Sequence, residues 1–234
     1  MSGQAHQLVL DLSHRPALGL EDFIVSGSNE QAVAMIDAWP NWPGLGIVLT
    51  GPSGSGKTHL GNVFRLITST GAIEAAGLSE PGVLRLAQSG GALVENVEQG
   101  FADEKAMFHL LNLARELNFK LILTSKALPG DWNITLPDLR SRLRTLPVVH
   151  IGQPDEALLS AVIVKLLADR QLPASPAAVQ HLSRNLERSL QHAERVVAEL
   201  DRMVWQEPRQ ISRDMAKRAL QAIGGPAADD GGAA

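Results

Sequence analysis

The sequence predicts an α/β fold with a mainly parallel sheet, followed by a small all-α domain. Short apolar runs alternate with helical patterns as far as about residue 151, and this alternation is typical of a parallel sheet covered by helices on both faces. Beyond residue 155 the strand signals stop and only helical periodicity continues. The length of 234 residues is enough for such a core together with a smaller attached domain.

The predicted elements follow in order along the chain. Residues 1–19 carry alternating leucines and then a proline, and we expect an extended arm there. Ser28, Asn29 and Glu30 can cap a short helix, after which prolines break the chain. Strands are predicted over 45–50, 72–76, 92–97, 120–125 and 147–151, with helices over 57–69, 81–88 and 103–117 between them. Four further helices are predicted over 156–170, 175–186, 190–205 and 212–222.

These elements divide the chain into four predicted segments. The arm (1–19) precedes an α/β core (20–154), and an all-α domain (155–223) follows it. The boundary near residue 155 is placed where the chain changes from alternating strands and helices to helices alone. The last segment, 224–234, is rich in Gly, Ala and Asp, and this composition predicts disorder.

The composition excludes several classes of protein and site. There is no cysteine, which rules out a disulfide framework and a thiolate metal site. No uncharged apolar run of about 18 residues occurs and the N-terminus lacks a secretory signal, so we expect a cytoplasmic protein with no membrane contact. The formal net charge of −4 and the absence of tyrosine argue against a broad nucleic-acid surface, so we expect DNA contact to be indirect or weak.

A glycine-rich segment lies between the first predicted strand and the helix after it. It fits the pattern G-x-x-x-x-G-K-[ST] at every fixed position. Backbone N–H groups of such a loop and the start of the helix can hold phosphate oxygens. Lys57 is expected to contact the outer phosphates, and the Thr58 hydroxyl to join a Mg²⁺ shell. We therefore predict that ADP or ATP binds with Mg²⁺; the alternative is a glycine-rich turn that binds nothing. The residues are Gly51, Pro52, Ser53, Gly54, Ser55, Gly56, Lys57 and Thr58.

Hydrolysis of the nucleotide needs acidic groups beside this loop. One strand-end acid holds Mg²⁺ through water, and a second usually polarises the attacking water. Glu95, in the third predicted strand, is the candidate for the first role, and an exposed acid without a role is the alternative. The next residue, Asn96, cannot accept a proton from water. We therefore expect slow turnover and retention of the product nucleotide.

Three arginines follow the fourth predicted strand within five residues: Arg140, Arg142 and Arg144. On a helix, Arg140 and Arg144 share one face and Arg142 points elsewhere. An arginine that reaches a γ-phosphate across a subunit boundary can stabilise the charge of the transferring group. A solvated basic turn, or a contact to DNA phosphates, explains the same spacing equally well.

Several short stretches together resemble the DnaA-related AAA+ family, and more closely its short members, the Hda-type regulatory inactivators of DnaA. The resemblance runs from about residue 20 to residue 220 and implies an AAA+ P-loop NTPase core with an all-α lid. It implies that Ile24 and Val25 lead into the adenine pocket and that His59 belongs to the phosphate loop. It also implies that Arg142 is an arginine finger that acts in trans. The stretches are 23–29, 56–60, 94–98, 123–125 and 136–143.

Three positions depart from the pattern of this family. Asn96 replaces the second acid of DnaA, although Hda-type members resemble this sequence there. Lys126 stands where the family usually has a sensor aspartate, which implies altered sensing of the γ-phosphate. In the lid, Gln191 occupies the place of the second-sensor arginine, and Arg188 or Arg195 is the candidate to replace it.

The predicted arm contains the hexapeptide Gln7-Leu8-Val9-Leu10-Asp11-Leu12, which resembles the sliding-clamp-binding peptide of Hda-type proteins. Leu8, Leu10 and Leu12 can anchor in an apolar groove while Gln7 forms hydrogen bonds. Taken alone, the pattern favours a strand that packs its leucines on its own core. The resemblance favours clamp binding.

The resemblance therefore implies a regulator of DNA replication initiation that is associated with the nucleoid and the replisome. The arm is expected to bind the β sliding clamp, and the nucleotide-bound core to promote hydrolysis of the ATP held by DnaA. The helix-turn-helix DNA-binding domain of the initiators is not predicted after residue 222. Whether the chain forms a homo-oligomer is left open. Two alternatives are a helicase-loader-like AAA+ ATPase that acts on DNA, and a non-catalytic nucleotide-bound adaptor between initiator and clamp.

Overall fold

Five parallel strands in one sheet form the centre of the structure, a computed structural model that describes residues 24–206 and 210–224. The strands are β1 (Gly46–Thr50), β2 (Gly71–Glu74), β3 (Gly91–Glu95), β4 (Lys120–Ser125) and β5 (Val148–His150). Their order across the sheet is β2–β3–β4–β1–β5, and every neighbouring pair is parallel. The predicted α/β fold with a parallel sheet is confirmed.

Helices connect the strands and then continue alone in the last part of the described chain. Helix α1 (Glu30–Asp37) precedes the first strand, and the connecting helices are α2 (Lys57–Thr68), α3 (Glu80–Gln88), α4 (Glu104–Glu116) and α5 (Pro137–Arg144). The C-terminal helices are α6 (Glu156–Asp169), α7 (Pro176–Asn185), α8 (Leu190–Gln206) and α9 (Arg213–Ala222). Strand signals and helical periodicity in the sequence therefore predicted the element types correctly on both sides of residue 155.

Both faces of the sheet are covered, and alternate residues of β1, β3 and β4 enter different apolar clusters. On one face, Ile47 and Leu49 of β1 pack in a cluster with Phe64 of α2. On the other face, Val48 packs in a cluster with Leu110 of α4. Because side chains of a strand alternate between its two sides, α1 and α2 cover one face of the sheet while α3, α4 and α5 cover the other.

Three local predictions are corrected by the structure. The second strand ends at Glu74 and not at residue 76, because the 3-10 turn Ala75–Gly77 follows it. The third strand ends at Glu95 and not at residue 97, because Asn96 adopts a φ of 56° and the 3-10 turn Val97–Gln99 follows. A residue in the left-handed region cannot continue an extended strand. The side chain of Asn29 does not cap α1; it accepts a hydrogen bond from the N–H of Ser26 at 2.9 Å.

The C-terminal helices bury an apolar cluster of their own, to which Ile163, Val197 and Ala216 contribute. No helix among residues 24–206 and 210–224 is long and apolar enough to cross a membrane. The predicted arm, including Gln7, Leu8, Leu10 and Leu12, lies outside the described residues, as does the predicted tail after residue 224. The four-segment division of the chain therefore stays a prediction.

Candidate phosphate-binding site

The loop between β1 and α2 has a backbone shape that favours glycine at several positions. Gly54 and Gly56 adopt φ values of 70° and 105°, in the left-handed region where other residues are strained. Gly51 lies so close to the end of β5 that a Cβ on it would stand 2.2 Å from the carbonyl oxygen of Ile151. The glycines therefore let the loop curve tightly, and backbone N–H groups in such a bend can approach an anion.

Lys57, the first residue of α2, turns back over the loop. Its Nζ donates hydrogen bonds to the carbonyl oxygens of Gly51 and Pro52, both at 2.8 Å. Burial lowers the pKa of Lys57; the Glu98 carboxylate opposes this effect and the Lys126 ammonium adds to it. A phosphate is an anion whereas these carbonyl oxygens are neutral, and opposite charges attract strongly at short range. A phosphate is therefore a better partner for Lys57 than these carbonyls.

Two buried polar atoms at this end of the sheet have no hydrogen-bond partner within the described residues: Ser55 Oγ and Glu98 Oε1. Ser55 lies inside the loop, and a Cβ on Gly51 would stand 3.0 Å from its hydroxyl. An unpaired buried hydroxyl costs about 1–3 kcal/mol. A phosphate oxygen can accept a hydrogen bond from Ser55, so the donors of the loop fit the phosphates of a nucleotide.

The other predicted loop residues lie at the rim of the site. Ser53 is exposed at the outer side of the loop, and Thr58 and His59 are exposed in the first turn of α2. An exposed hydroxyl at the start of this helix can still reach a cation bound to the outer phosphates. Thr58 is thus exposed at the start of α2, and its role as a Mg²⁺ ligand stays a prediction.

The predicted adenine-pocket residues reach the same end of the sheet. Ile24 and Val25 are half-buried, and the carbonyl oxygen of Ile24 accepts a hydrogen bond from the Asn29 side-chain amide at 3.0 Å. The N–H of Gly152, directly after β5, donates to the carbonyl oxygen of Ser28 at 2.8 Å. The segment before α1 therefore lies beside the last strand, next to the phosphate loop.

Glu95 ends the third strand and Asn96 follows it, and the two side chains differ in their partners. Glu95 is half-buried, its backbone belongs to the ladder with β2, and its carboxylate forms no hydrogen bond or ion pair with another described residue. Asn96 donates its backbone N–H to Thr124 Oγ1 at 3.2 Å and its side-chain amide to Glu74 Oε2 at 2.8 Å. The Asn96 side chain is thus directed towards β2, at the edge of the sheet.

Glu98 is a residue of this site that the sequence analysis did not assign. It lies in the 3-10 turn after β3, and its Oε2 accepts a hydrogen bond from the N–H of Lys126 at 3.2 Å. Its charge also acts on the pKa of Lys57. The only signal in the sequence was a second acid three residues after Glu95, and nothing in that spacing indicated which acid would lie near the lysine.

The start of α8 packs directly on the phosphate loop. The N–H of Leu190 donates to the carbonyl oxygen of Gly54 at 2.8 Å, and a Cβ on Gly54 would stand 1.9 Å from Ser189 Oγ. Arg188 immediately precedes this contact and is exposed. Arg195 lies more than a helical turn further along α8. Of the two arginines considered for the second sensor, Arg188 is the one beside the loop.

Arg142 lies at the opposite end of the sheet from the phosphate loop. Its Nη1 donates a hydrogen bond to Asn112 Oδ1 at 2.6 Å, and its guanidinium carbon is 4.3 Å from the centre of the Phe108 ring. A cavity of about 470 Å³ beside it is lined by Leu45 and Pro147, which precede β1 and β5. The structure therefore does not bring Arg142 to the phosphate loop of its own chain.

The two arginines on either side of Arg142 differ in their surroundings. Arg140 is exposed, and its guanidinium forms no hydrogen bond or ion pair within the described part of the chain. Arg144 donates to the carbonyl oxygen of Gly130 at 3.2 Å. Arg142 is the half-buried member of the three, with both a hydrogen bond and a ring contact.

No protein-family model matches the sequence, and no curated protein matches it. Solved structures do. Domain III of the replication initiation protein DnaA from Thermotoga maritima superposes with a TM-score of 0.73 at 16% identity, over 89% of this chain and 97% of that one. AMPPCP-bound DnaA from Aquifex aeolicus gives 0.68 at 19% identity, over 90% and 71%. A RuvB variant from Thermotoga maritima gives 0.67 at 17% identity, over 88% and 72%. The chain has the AAA+ P-loop NTPase fold found in DnaA.

Proposed function

We propose that this chain binds an adenine nucleotide, ADP or ATP with Mg²⁺, on the loop from Gly51 to Thr58. The support is the curved glycine loop, the buried Lys57 ammonium on neutral carbonyls, and the unpaired Ser55 hydroxyl inside the loop. Thr58 and Glu95 would hold the Mg²⁺, which neutralises phosphate charge when bound. Arg188 would reach the phosphates from the start of α8, where Leu190 and Gly54 already join the helix to the loop.

The proposed activity is regulation of DNA replication initiation through an arginine that acts on another chain. Arg142 lies at the amino ends of the strands, away from the phosphate loop at their carboxyl ends. It can therefore serve only a phosphate held by a neighbour. Such an arginine finger accelerates phosphoryl transfer by roughly 10³–10⁵. This position of Arg142 is the single observation that carries the proposal of activation in trans.

The proposed partner that receives Arg142 is ATP-bound DnaA, as in the Hda-type regulators that the sequence resembles. Two AAA+ domains of similar shape can pack so that one offers an arginine to the nucleotide of the other. The proposed second partner is the β sliding clamp, bound through Gln7, Leu8, Leu10 and Leu12. Together these contacts would place the protein at the replisome and lower the amount of initiator that holds ATP.

Substitution of Arg142→Ala tests the activation in trans. The measurement is hydrolysis of ATP bound to DnaA, in the presence of DNA-loaded clamp and this protein. We expect the stimulated rate to fall by about 10³-fold or more, the lower end of the range for an arginine finger, while clamp pull-down is unchanged. Arg140→Ala is the matched control, because Arg140 lies on the same helix and is exposed; it should retain the rate within about threefold.

Three results separate the proposal from its alternatives. An unchanged rate with Arg142→Ala would leave only a non-catalytic adaptor. A rate that this protein does not raise at all, combined with DNA-dependent ATP turnover of its own, would favour a helicase-loader-like ATPase. A pull-down by the clamp that survives Gln7→Ala with Leu10→Ala would remove the proposed role of the arm.

A further inference from the structure

The carboxylate of Glu98 has one oxygen paired and one oxygen unpaired in a buried position. Oε2 accepts the N–H of Lys126 at 3.2 Å, whereas Oε1 has no partner among the described residues. A buried carboxylate oxygen without a donor is costly, since hydrogen bonds to charged groups contribute about 1.5–3 kcal/mol each. The arrangement therefore calls for a donor that belongs to neither the side chains nor the backbone nearby, such as a water or a hydrated ligand.

The position of Glu98 indicates that the missing donor lies near the phosphate loop. Lys126 follows β4, which lies between β1 and β3 in the sheet. The Glu98 carboxylate is thus held over the central strand, between the end of β3 and the loop that leaves β1. Its charge acts on Lys57, yet the two groups do not form an ion pair with each other within the described residues. The carboxylate therefore acts on the lysine without being its hydrogen-bond partner.

Asn96 cannot act as a base for a water molecule at this site, because of the chemistry of its amide and because of the direction of its side chain. An amide cannot take a proton from water. The Asn96 side chain is also turned towards the edge of the sheet, where it donates to Glu74 Oε2 at 2.8 Å. The left-handed φ of 56° at Asn96 starts the turn that brings Glu98 back over the sheet. The same local geometry thus removes residue 96 from the site and introduces residue 98.

We propose that Glu98 is the catalytic residue that orients and deprotonates the attacking water when this chain hydrolyses its own bound ATP. The inference rests on the proposed nucleotide site and adds an activity of the chain itself. Glu98 Oε1 accepts a proton from the water as the water oxygen bonds to the γ-phosphorus and the bond from that phosphorus to the β,γ-bridging oxygen breaks. The products are ADP and inorganic phosphate, and the proton passes from Glu98 to solvent.

The hydrogen bond from Lys126 fixes the direction of the carboxylate. Because this donor is a backbone N–H, it remains whatever side chain stands at residue 126. Oε2 is occupied by it, so Oε1 is the oxygen left without a donor among the described residues. A carboxylate positioned in this way is typical of a general base, which accelerates reactions by about 10²–10⁴.

Glu98→Gln tests the inference, because it removes the basic oxygen and keeps the size of the side chain. The measurement is single-turnover hydrolysis of ATP with protein in excess, alongside titration of ADP binding. We expect the hydrolysis rate to fall by about 100-fold and the ADP dissociation constant to change by less than about threefold. Glu74→Gln is the matched control, since Glu74 is an acid at the same end of the neighbouring strand; its rate should stay within about threefold of wild type.

A second variant keeps the test decisive if Glu98→Gln lowers the melting temperature. Glu98→Asp retains the carboxylate but shortens it by one methylene, and we expect a rate between those of wild type and Glu98→Gln. Hydrolysis within threefold of wild type in Glu98→Gln, or no hydrolysis by wild type at all, would overturn the inference. The proposed function fails by other readouts: absence of ADP binding by wild type, or absence of stimulated hydrolysis in DnaA. Glu98→Gln should retain both.

Discussion

The two ends of the sheet hold their positive charges in different ways. At the carboxyl ends of the strands, Lys57 is bonded only to neutral carbonyl oxygens, and Ser55 Oγ has no partner among the described residues. At the amino ends, Arg142 is bonded to Asn112 and lies on the Phe108 ring of the same chain. The hydrogen bonding at the carboxyl ends is therefore incomplete without an anion. At the amino ends, Arg142 already has partners in its own chain, and it has to leave them before it can serve an anion on another chain.

The largest effect that this comparison predicts comes from Lys57→Ala. The substitution removes the one buried ammonium of the described loop, and we expect the ADP dissociation constant to rise by about 100-fold, because charge-assisted hydrogen bonds contribute about 1.5–3 kcal/mol. Calorimetric titration of ADP measures the change. Lys105→Ala, an exposed lysine in the first turn of α4, is the control and should alter binding less than about twofold. Equal affinities for the two variants would show that the loop holds no phosphate.

A smaller effect is expected from Gly54→Ala, which separates loop strain from contact with α8. Gly54 and Gly90 have nearly the same φ, 70° and 71°, but a Cβ on Gly54 would stand 1.9 Å from Ser189 Oγ whereas one on Gly90 would have nothing within 4 Å. Gly90→Ala should therefore cost only the left-handed backbone, about 1–2 kcal/mol. Gly54→Ala should cost more than this in urea unfolding.

Binding of ADP distinguishes the two glycine variants further. Because the clash pushes Ser189 and the start of α8 away from the loop, Gly54→Ala should weaken ADP binding by about tenfold, or about 1.4 kcal/mol. Gly90 lies before β3 and away from the loop, so Gly90→Ala should leave the affinity unchanged. If both variants bind ADP as tightly as wild type, the contact between Gly54 and α8 plays no part in the site.

The phosphate end of the sheet was largely predictable from the sequence, because its determinants are local. The strand Lys120–Ser125 has the bounds that its apolar run predicts, and the loop residues stand in the fixed order that a strand, a glycine bend and a helix require. The part that escaped prediction was Glu98. Its place depends on the left-handed φ of Asn96, and a single asparagine in a sequence does not indicate which way the chain turns after it.

The arginine end was predictable only in part. The spacing of Arg140, Arg142 and Arg144 showed that Arg142 faces away from the other two. It did not show what Arg142 would meet, because Asn112 is 30 residues away in the chain and comes into contact only when α4 and α5 pack together. Contacts that depend on the packing of two helices have no signal in the local pattern of either one.

The smallest predicted effect concerns the hydrogen bond between Arg142 and Asn112. Asn112→Ala removes the acceptor of Arg142 and leaves the Phe108 contact in place. If Arg142 must leave Asn112 to act on DnaA, the loss of this bond lowers the cost of leaving, and stimulated hydrolysis at limiting protein should rise by about threefold, which corresponds to about 0.7 kcal/mol. Asn62→Ala is the matched control, because Asn62 Oδ1 accepts a hydrogen bond from Arg65 Nη1 at 3.1 Å within α2. A rate that falls with Asn112→Ala and is unchanged with Asn62→Ala would contradict this expectation. Asn112 would then hold Arg142 in the position in which it acts, and Arg142 would not need to leave its own contacts.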